Sequence, residues 1–215
     1  MSVSQGCAPG TSVHFAESRQ VLVATQTGGS TGTFHGTWTR YEWTGTQWLQ
    51  VGGDGVEVRF GKHGVQDGNT RVMGSSTTPS GTFALPLAFG EADPGTAMPY
   101  NTITGCSWWL DVDALEMGRP DLFNRWFEDC ATTYPHAENL SELRDRGLYR
   151  QAVVIGHNYA DPRKTSGPGS SSAIFLHYAP ADGYTAGCVG LTSMAELTDT
   201  VRWLAPSSNP VIVIR

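Results

Sequence analysis

Between Gln20 and Val51 apolar and polar residues alternate in three runs: Gln20-Val21-Leu22-Val23-Ala24-Thr25, Gly36-Thr37-Trp38-Thr39-Arg40-Tyr41-Glu42-Trp43, and Gln47-Trp48-Leu49-Gln50-Val51. A period of two marks half-buried strands, and the connectors Gly28-Gly29-Ser30 and Thr44-Gly45-Thr46 have the permissive backbone of hairpin turns, so a β-meander is predicted. Further on, Thr78-Pro79-Ser80-Gly81-Thr82-Phe83-Ala84-Leu85 reads as a turn leading into a strand. From Asp111 to Gly147 the period lengthens. Leu115, Leu122, Phe123, Trp126, Phe127, Leu140 and Leu143 recur at helical spacings, which predicts one or two short helices, the second stopped by Gly147.

Gln151-Ala152-Val153-Val154-Ile155-Gly156 and Ser172-Ala173-Ile174-Phe175-Leu176-His177 are short apolar runs of the kind found in strands buried on both faces. The polar segment Asp161–Ser171 between them has no apolar period and is expected to form an ordered loop or lid. Ser193-Met194-Ala195-Glu196 matches a capping box ahead of Met194, Leu197, Val201 and Leu204, so a helix over 193–204 is predicted, ended by Pro206. Pro210–Ile214 closes the chain as a β-branched strand. The expected fold is mainly β with a few short helices. Residues 1–19 are expected to be a flexible segment ahead of one domain over 20–215.

Composition agrees: 26 Gly and 12 Pro in 215 residues, without a repeat period, suit many turns between short strands. A net charge of −6 argues against nucleic acid or an anionic membrane surface as partner. No stretch has the length and apolarity of a membrane span, and a secretion signal is not evident in the chain. The four cysteines form no C-x-x-C pair, which disfavours a metal site, and no cofactor is expected. Cys106 and Cys130 flank an aromatic-rich segment, and a disulfide between them is favoured over two buried thiols, with Cys7 left over as a bystander.

The candidate chemistry lies in His177 at the end of a buried-type strand and Cys188 shortly after it, joined by a turn-rich excursion. Free thiols ionise near 8.5, so a catalytic cysteine needs a group that takes or stabilises its proton. Gly187 permits a turn that aims backbone N–H groups at one point, as an oxyanion hole requires. From these residues alone, a buried thiol beside a structural histidine is an equally good reading.

The surrounding motifs favour the catalytic reading. Ala173-Ile174-Phe175-Leu176-His177 followed by Thr185-Ala186-Gly187-Cys188-Val189 resembles the catalytic motif of the L,D-transpeptidase (YkuD-like) family. Upstream, Gly61-Lys62-His63-Gly64, Thr78-Pro79-Ser80-Gly81-Thr82-Phe83, Ala88-Phe89-Gly90 and Ile155-Gly156-His157-Asn158 match further family segments in order, so the resemblance runs over roughly residues 50 to 215. It implies a YkuD-like β-sandwich or barrel with a capped helix after the cysteine. In its terms Cys188 is the acylated nucleophile, His177 its base, and the backbone around Gly187 and Cys188 the oxyanion donors. Thr185 shapes the turn, and Thr185, Ala186, His157 and Asn158 are candidates to meet substrate.

The implied substrates are peptidoglycan stem peptides, with carbapenem-type β-lactams as inhibitors, a monomer, and an extracytoplasmic location. Ala186 stands where many members have a second histidine, and the His-to-Cys spacing is short, which marks a divergent branch. Alternatives are an L,D-carboxypeptidase on the same stems and a non-catalytic wall-binding module. A papain-like peptidase is disfavoured because there the cysteine precedes the histidine. Trp108, Trp109, Phe123 and Trp126 are expected in the core, and Asp182 in a solvated turn.

Overall fold

In the computed structural model, residues 6–27, 34–161 and 163–215 are described; the Gly28-Gly29-Ser30 turn lies outside them. The predicted meander forms β1 (Gln20–Gln26), β2 (His35–Trp43) and β3 (Trp48–Gly52), paired antiparallel in sequence. Next come β4 (Glu57–Arg59), β5 (Val65–Asp67), β6 (Thr78–Ala84), β7 (Ala88–Gly90) and β8 (Tyr100–Thr102). Three strands of a smaller sheet follow: β9 (Ser107–Leu110), β10 (Arg125–Glu128) and β11 (Glu138–Asn139). The last strands are β12 (Gln151–Val154), β13 (Phe175–Tyr178), β14 (Val189–Leu191) and β15 (Val211–Ile214).

The large mixed sheet has twelve strands in the order β5-β6-β15-β1-β2-β4-β14-β13-β12-β7-β8, with β3 added beside β2. Strands hold 34% of the described residues and helices 13%, so the mainly β reading stands.

Among the described residues there are three α-helices, α1 (Val112–Glu116), α2 (Leu140–Asp145) and α3 (Met194–Trp203), and short 3-10 turns at Pro120–Leu122 and Pro206–Ser208. The helical expectation over 111–147 is corrected in part, because Trp126 and Phe127 lie on β10, paired with Trp109 and Trp108 of β9. Aromatic residues at a spacing of three or four serve a strand as well when a cross-strand partner is present, which local periodicity does not reveal. Gly147 follows α2 with φ +82, as a stop signal should. The turn expected at Thr78-Pro79 is also corrected. Both residues already belong to β6, and Pro79 opposes Gln66 of β5.

Residues 6–19, expected as a flexible lead-in, place Ala8 and Val13 in a buried cluster with Val21 and Val23. Cys106 and Cys130 are disulfide-bonded, clamping the open end of the β9–β10 pair, where Ser107 opposes Glu128. Cys106→Ser is expected to lower unfolding free energy by about 3 kcal/mol, the loop-closure entropy of such a ring, measurable by urea titration of mutant and wild type.

The core divides about β12 and β13. Leu176, Val153 and Ile155 face a cluster with Leu197 and Val201 of α3 and Leu204 just after it. Phe175, Ala152 and Val154 face the opposite way, into a cluster with Phe89, Trp109, Tyr149 and Cys188 under the small sheet. Both strands are therefore buried on both faces, as their unbroken apolar runs predict. The candidate cysteine sits in the second layer, between the large sheet and the small one.

Candidate active site

Cys188 is placed by a turn whose hydrogen bonds come from three motifs far apart in sequence. Thr185 is pinned by Phe60 and Lys62, its N–H donating to the Phe60 carbonyl (2.9 Å) and its carbonyl accepting from Lys62 N–H (3.0 Å). Its hydroxyl donates to the Cys188 carbonyl (2.7 Å) and accepts from Gly187 N–H (3.2 Å). Thr78 Oγ1 donates to the same Cys188 carbonyl (3.1 Å) and accepts from Gly61 N–H (2.8 Å). Gly187 has φ +150, and a Cβ there would lie 3.1 Å from the Thr77 carbonyl and 3.3 Å from Ile174 Cδ1, so both conformation and space demand glycine. Thr185 thus shapes the turn as expected. The N–H of Gly187, however, is held by the Thr185 hydroxyl rather than presented as an oxyanion donor.

The Cys188 thiol donates to the Ala173 carbonyl (3.3 Å) and accepts from Phe175 N–H (3.4 Å). Burial and then the charge of Glu138 push its pKa up, while Phe175 N–H and the Arg71 guanidinium pull it down. The balance is a neutral thiol at rest.

His177, expected as its base, is buried on β13 with Nδ1–H donating to the Tyr178 carbonyl (2.7 Å) and its ring against the edge of Tyr149 at 5.1 Å. Burial lowers its pKa to about 4, so the ring is neutral at pH 7. Among the described residues no hydrogen bond joins His177 to the thiol, which correct spacing along the chain could not guarantee.

Beside Cys188 opens a cavity of about 200 Å³, walled by Ala186, Gly187, Arg71, Trp109, Glu138 and residues 171–174. Ala186 is exposed at this wall. Arg71 is buried and, among the described residues, has no carboxylate partner, donating to the Thr77 carbonyl (3.1 Å), the Ser170 carbonyl (3.0 Å) and Ser75 Oγ (3.3 Å). Arg71→Met is expected to slow alkylation of Cys188 by iodoacetamide roughly tenfold, the rate equivalent of about 1.4 kcal/mol of lost thiolate stabilisation. The readout is adduct mass against time.

Glu138 and Asp111 line the same cavity. Glu138 accepts a 2.5 Å hydrogen bond from Tyr149 Oη, and burial raises its pKa to about 7. Asp111 Oδ1 is buried with no hydrogen-bond partner among the described residues, and burial raises that carboxyl's pKa too.

His157 and Asn158, candidates for substrate contact, are engaged elsewhere. His157 donates from Nε2 to the Gly68 carbonyl (2.8 Å) and accepts at Nδ1 from Ser171 Oγ (2.6 Å). Asn158 donates from Nδ2 to the carbonyls of Lys164 (2.8 Å) and Ser171 (2.7 Å). Together they tie the expected loop to the sheet at Lys164 and Ser171. Three non-glycine residues with positive φ gather here, Asn124 (+55), Asn158 (+52) and Ala173 (+53). Asn124 Oδ1 accepts from both Trp109 Nε1 (2.8 Å) and Ala173 N–H (3.1 Å), and its Nδ2 donates to the Asn158 carbonyl (2.9 Å). Strained backbone held by a closed network concentrates where a site needs fixed geometry.

Sequence reasoning missed Arg71, Glu138 and Tyr149. Each stands between one apolar and one polar neighbour with no motif around it, and only the packing of the small sheet brings them to the thiol. Trp109, assigned to the core, is both core and cavity wall. Comparison with protein-family models, with curated proteins and with solved structures returns no match.

Proposed function

We propose that the protein is a cysteine-dependent acyltransferase of the L,D-transpeptidase (YkuD-like) kind, acting on peptidoglycan stem peptides outside the cytoplasm. One observation carries the reading. The hydroxyls of Thr78 and Thr185, taken from separate resembling motifs, both donate to the Cys188 carbonyl, and a third motif holds them in place, Gly61 N–H bonding to Thr78 Oγ1 and Lys62 N–H to the Thr185 carbonyl. A merely buried cysteine has no need of two hydroxyls on its own carbonyl and a glycine held at φ +150 beside it. The cavity supplies room for an acyl donor next to the thiol, and the disulfide suits an oxidising compartment.

In this reading Cys188 attacks the peptide bond after the third stem residue, the terminal D-alanine leaves, and the thioester passes its acyl group to an amine. If water takes it instead, the enzyme is an L,D-carboxypeptidase. Incubation with disaccharide-tetrapeptide and mass analysis tests both. Cross-linked dimer is the expected product, tripeptide alone would assign the carboxypeptidase, and equal product from Cys188→Ala would remove the reading.

A further inference from the structure

We propose that Glu138, held by the hydroxyl of Tyr149, is the catalytic residue that takes and returns the proton of Cys188. This rests on the reading of Cys188 as an acylated nucleophile. It concerns a residue that the motif resemblance does not touch, since the resemblance points to His177.

Three observations carry it. Glu138 and Cys188 wall the same cavity, so a substrate bound there meets both groups. The bond from Tyr149 Oη fixes one carboxylate oxygen, Oε2, and Tyr149 itself is buried against Phe175 and Phe89, which makes it a rigid positioning residue. His177 lies against the Tyr149 ring, with its Nδ1–H committed to the Tyr178 carbonyl.

Charge favours Glu138 as well. A neutral thiol beside a carboxylate holds one proton and one negative charge, and moving the proton from sulfur to oxygen leaves that total unchanged. Transfer to a neutral, buried His177 would instead create a cation and an anion in a poorly solvated site. The ionisable groups around Glu138 are Tyr149, Asp111 and Cys188, with Arg71 and His136 on the same cavity.

The steps balance. As the S–C bond forms at the scissile carbonyl, the thiol proton passes to a Glu138 oxygen and the carbonyl electron pair moves onto its oxygen. When the tetrahedral intermediate collapses, the C–N bond breaks and the departing amine takes the proton from Glu138. In the second half an acceptor amine gives a proton to Glu138 as its nitrogen bonds to the thioester carbon. The C–S bond breaks, and the thiolate recovers that proton. Nothing is oxidised or reduced.

The test is the pH dependence of disaccharide-tetrapeptide turnover in wild type, Glu138→Gln, Tyr149→Phe, His177→Asn and Cys188→Ala. Wild type is expected to gain activity as pH rises through about 7, where Glu138 loses its proton. Glu138→Gln is expected to lose this inflection and some 10²–10⁴-fold in kcat, the usual worth of a general acid–base. Glutamine keeps the size of the side chain and an oxygen for Tyr149.

Tyr149→Phe removes a bond that favours the carboxylate, so its inflection is expected to move to higher pH. This keeps the proposal testable should Glu138→Gln fold poorly. His177→Asn is expected to keep the wild-type inflection. Wild-type rate and profile in Glu138→Gln, an unmoved inflection in Tyr149→Phe, or loss of the inflection in His177→Asn would each overturn the proposal. In those cases an inactive Cys188→Ala leaves the nucleophile standing, whereas an active one removes the underlying reading first.

Discussion

Cys188→Ala is expected to abolish formation of both tripeptide and cross-linked dimer, a loss of at least about 10⁴-fold, because no other group can carry the acyl chain once a covalent nucleophile is removed. The variant should still fold. The thiol's own bonds are long and weak, 3.3 Å to the Ala173 carbonyl and 3.4 Å from Phe175 N–H. Losing them and one sulfur atom costs about 1–2 kcal/mol. Effects on rate and stability are therefore separable in one protein. Turnover by mass analysis and unfolding by urea, measured on the same preparation, check both, and a fully active variant would end the case for a covalent mechanism.

Glu196→Ala is expected to destabilise the fold by about 3–5 kcal/mol, the usual cost of stranding one member of a buried ion pair. Glu196 accepts from Arg40 Nε at 2.8 Å and from Trp38 Nε1 at 3.0 Å. Arg40 and Trp38 are both buried on β2, and the Arg40 guanidinium also lies over the Trp203 ring at 5.4 Å. With the carboxylate gone, a guanidinium and an indole N–H are left without their acceptor beneath α3. The same helix packs on β12, β13 and β14, so the loss would loosen the scaffold of Cys188. Urea titration gives the magnitude. A cost below about 1 kcal/mol would mean that water reaches Arg40 and that the pair behaves as a surface bridge.

Glu196 also illustrates how far a local motif reaches. Its backbone N–H is capped by Ser193 Oγ at 3.2 Å, as the capping box predicts. Its carboxylate, which the motif would send back to the helix start, is used by β2 instead. One half of the motif is a neighbour's affair. The other depends on which strand lies underneath.

The same division runs through the whole molecule. By itself the sequence determined what neighbouring residues can settle: the meander, the doubly buried runs of β12 and β13, the helix from Ser193, the stop at Gly147, and the Thr185-Ala186-Gly187-Cys188 turn. Backbone propensity and short-range hydrogen bonds act within a few residues, so these features are written locally. The disulfide was also legible, because cysteine has few other uses around a compact aromatic segment.

Only the tertiary structure decided which groups face the thiol. Glu138 comes from the small sheet, Arg71 from the chain before β6, and Tyr149 from the approach to β12, and their meeting depends on how the small sheet packs over β13. A side chain's partner across such an interface is a property of three-dimensional packing, and no spacing along the chain encodes it. His177 stands near Cys188 in sequence and makes its hydrogen bond to Tyr178, while Glu138 stands far from Cys188 in sequence and shares its cavity.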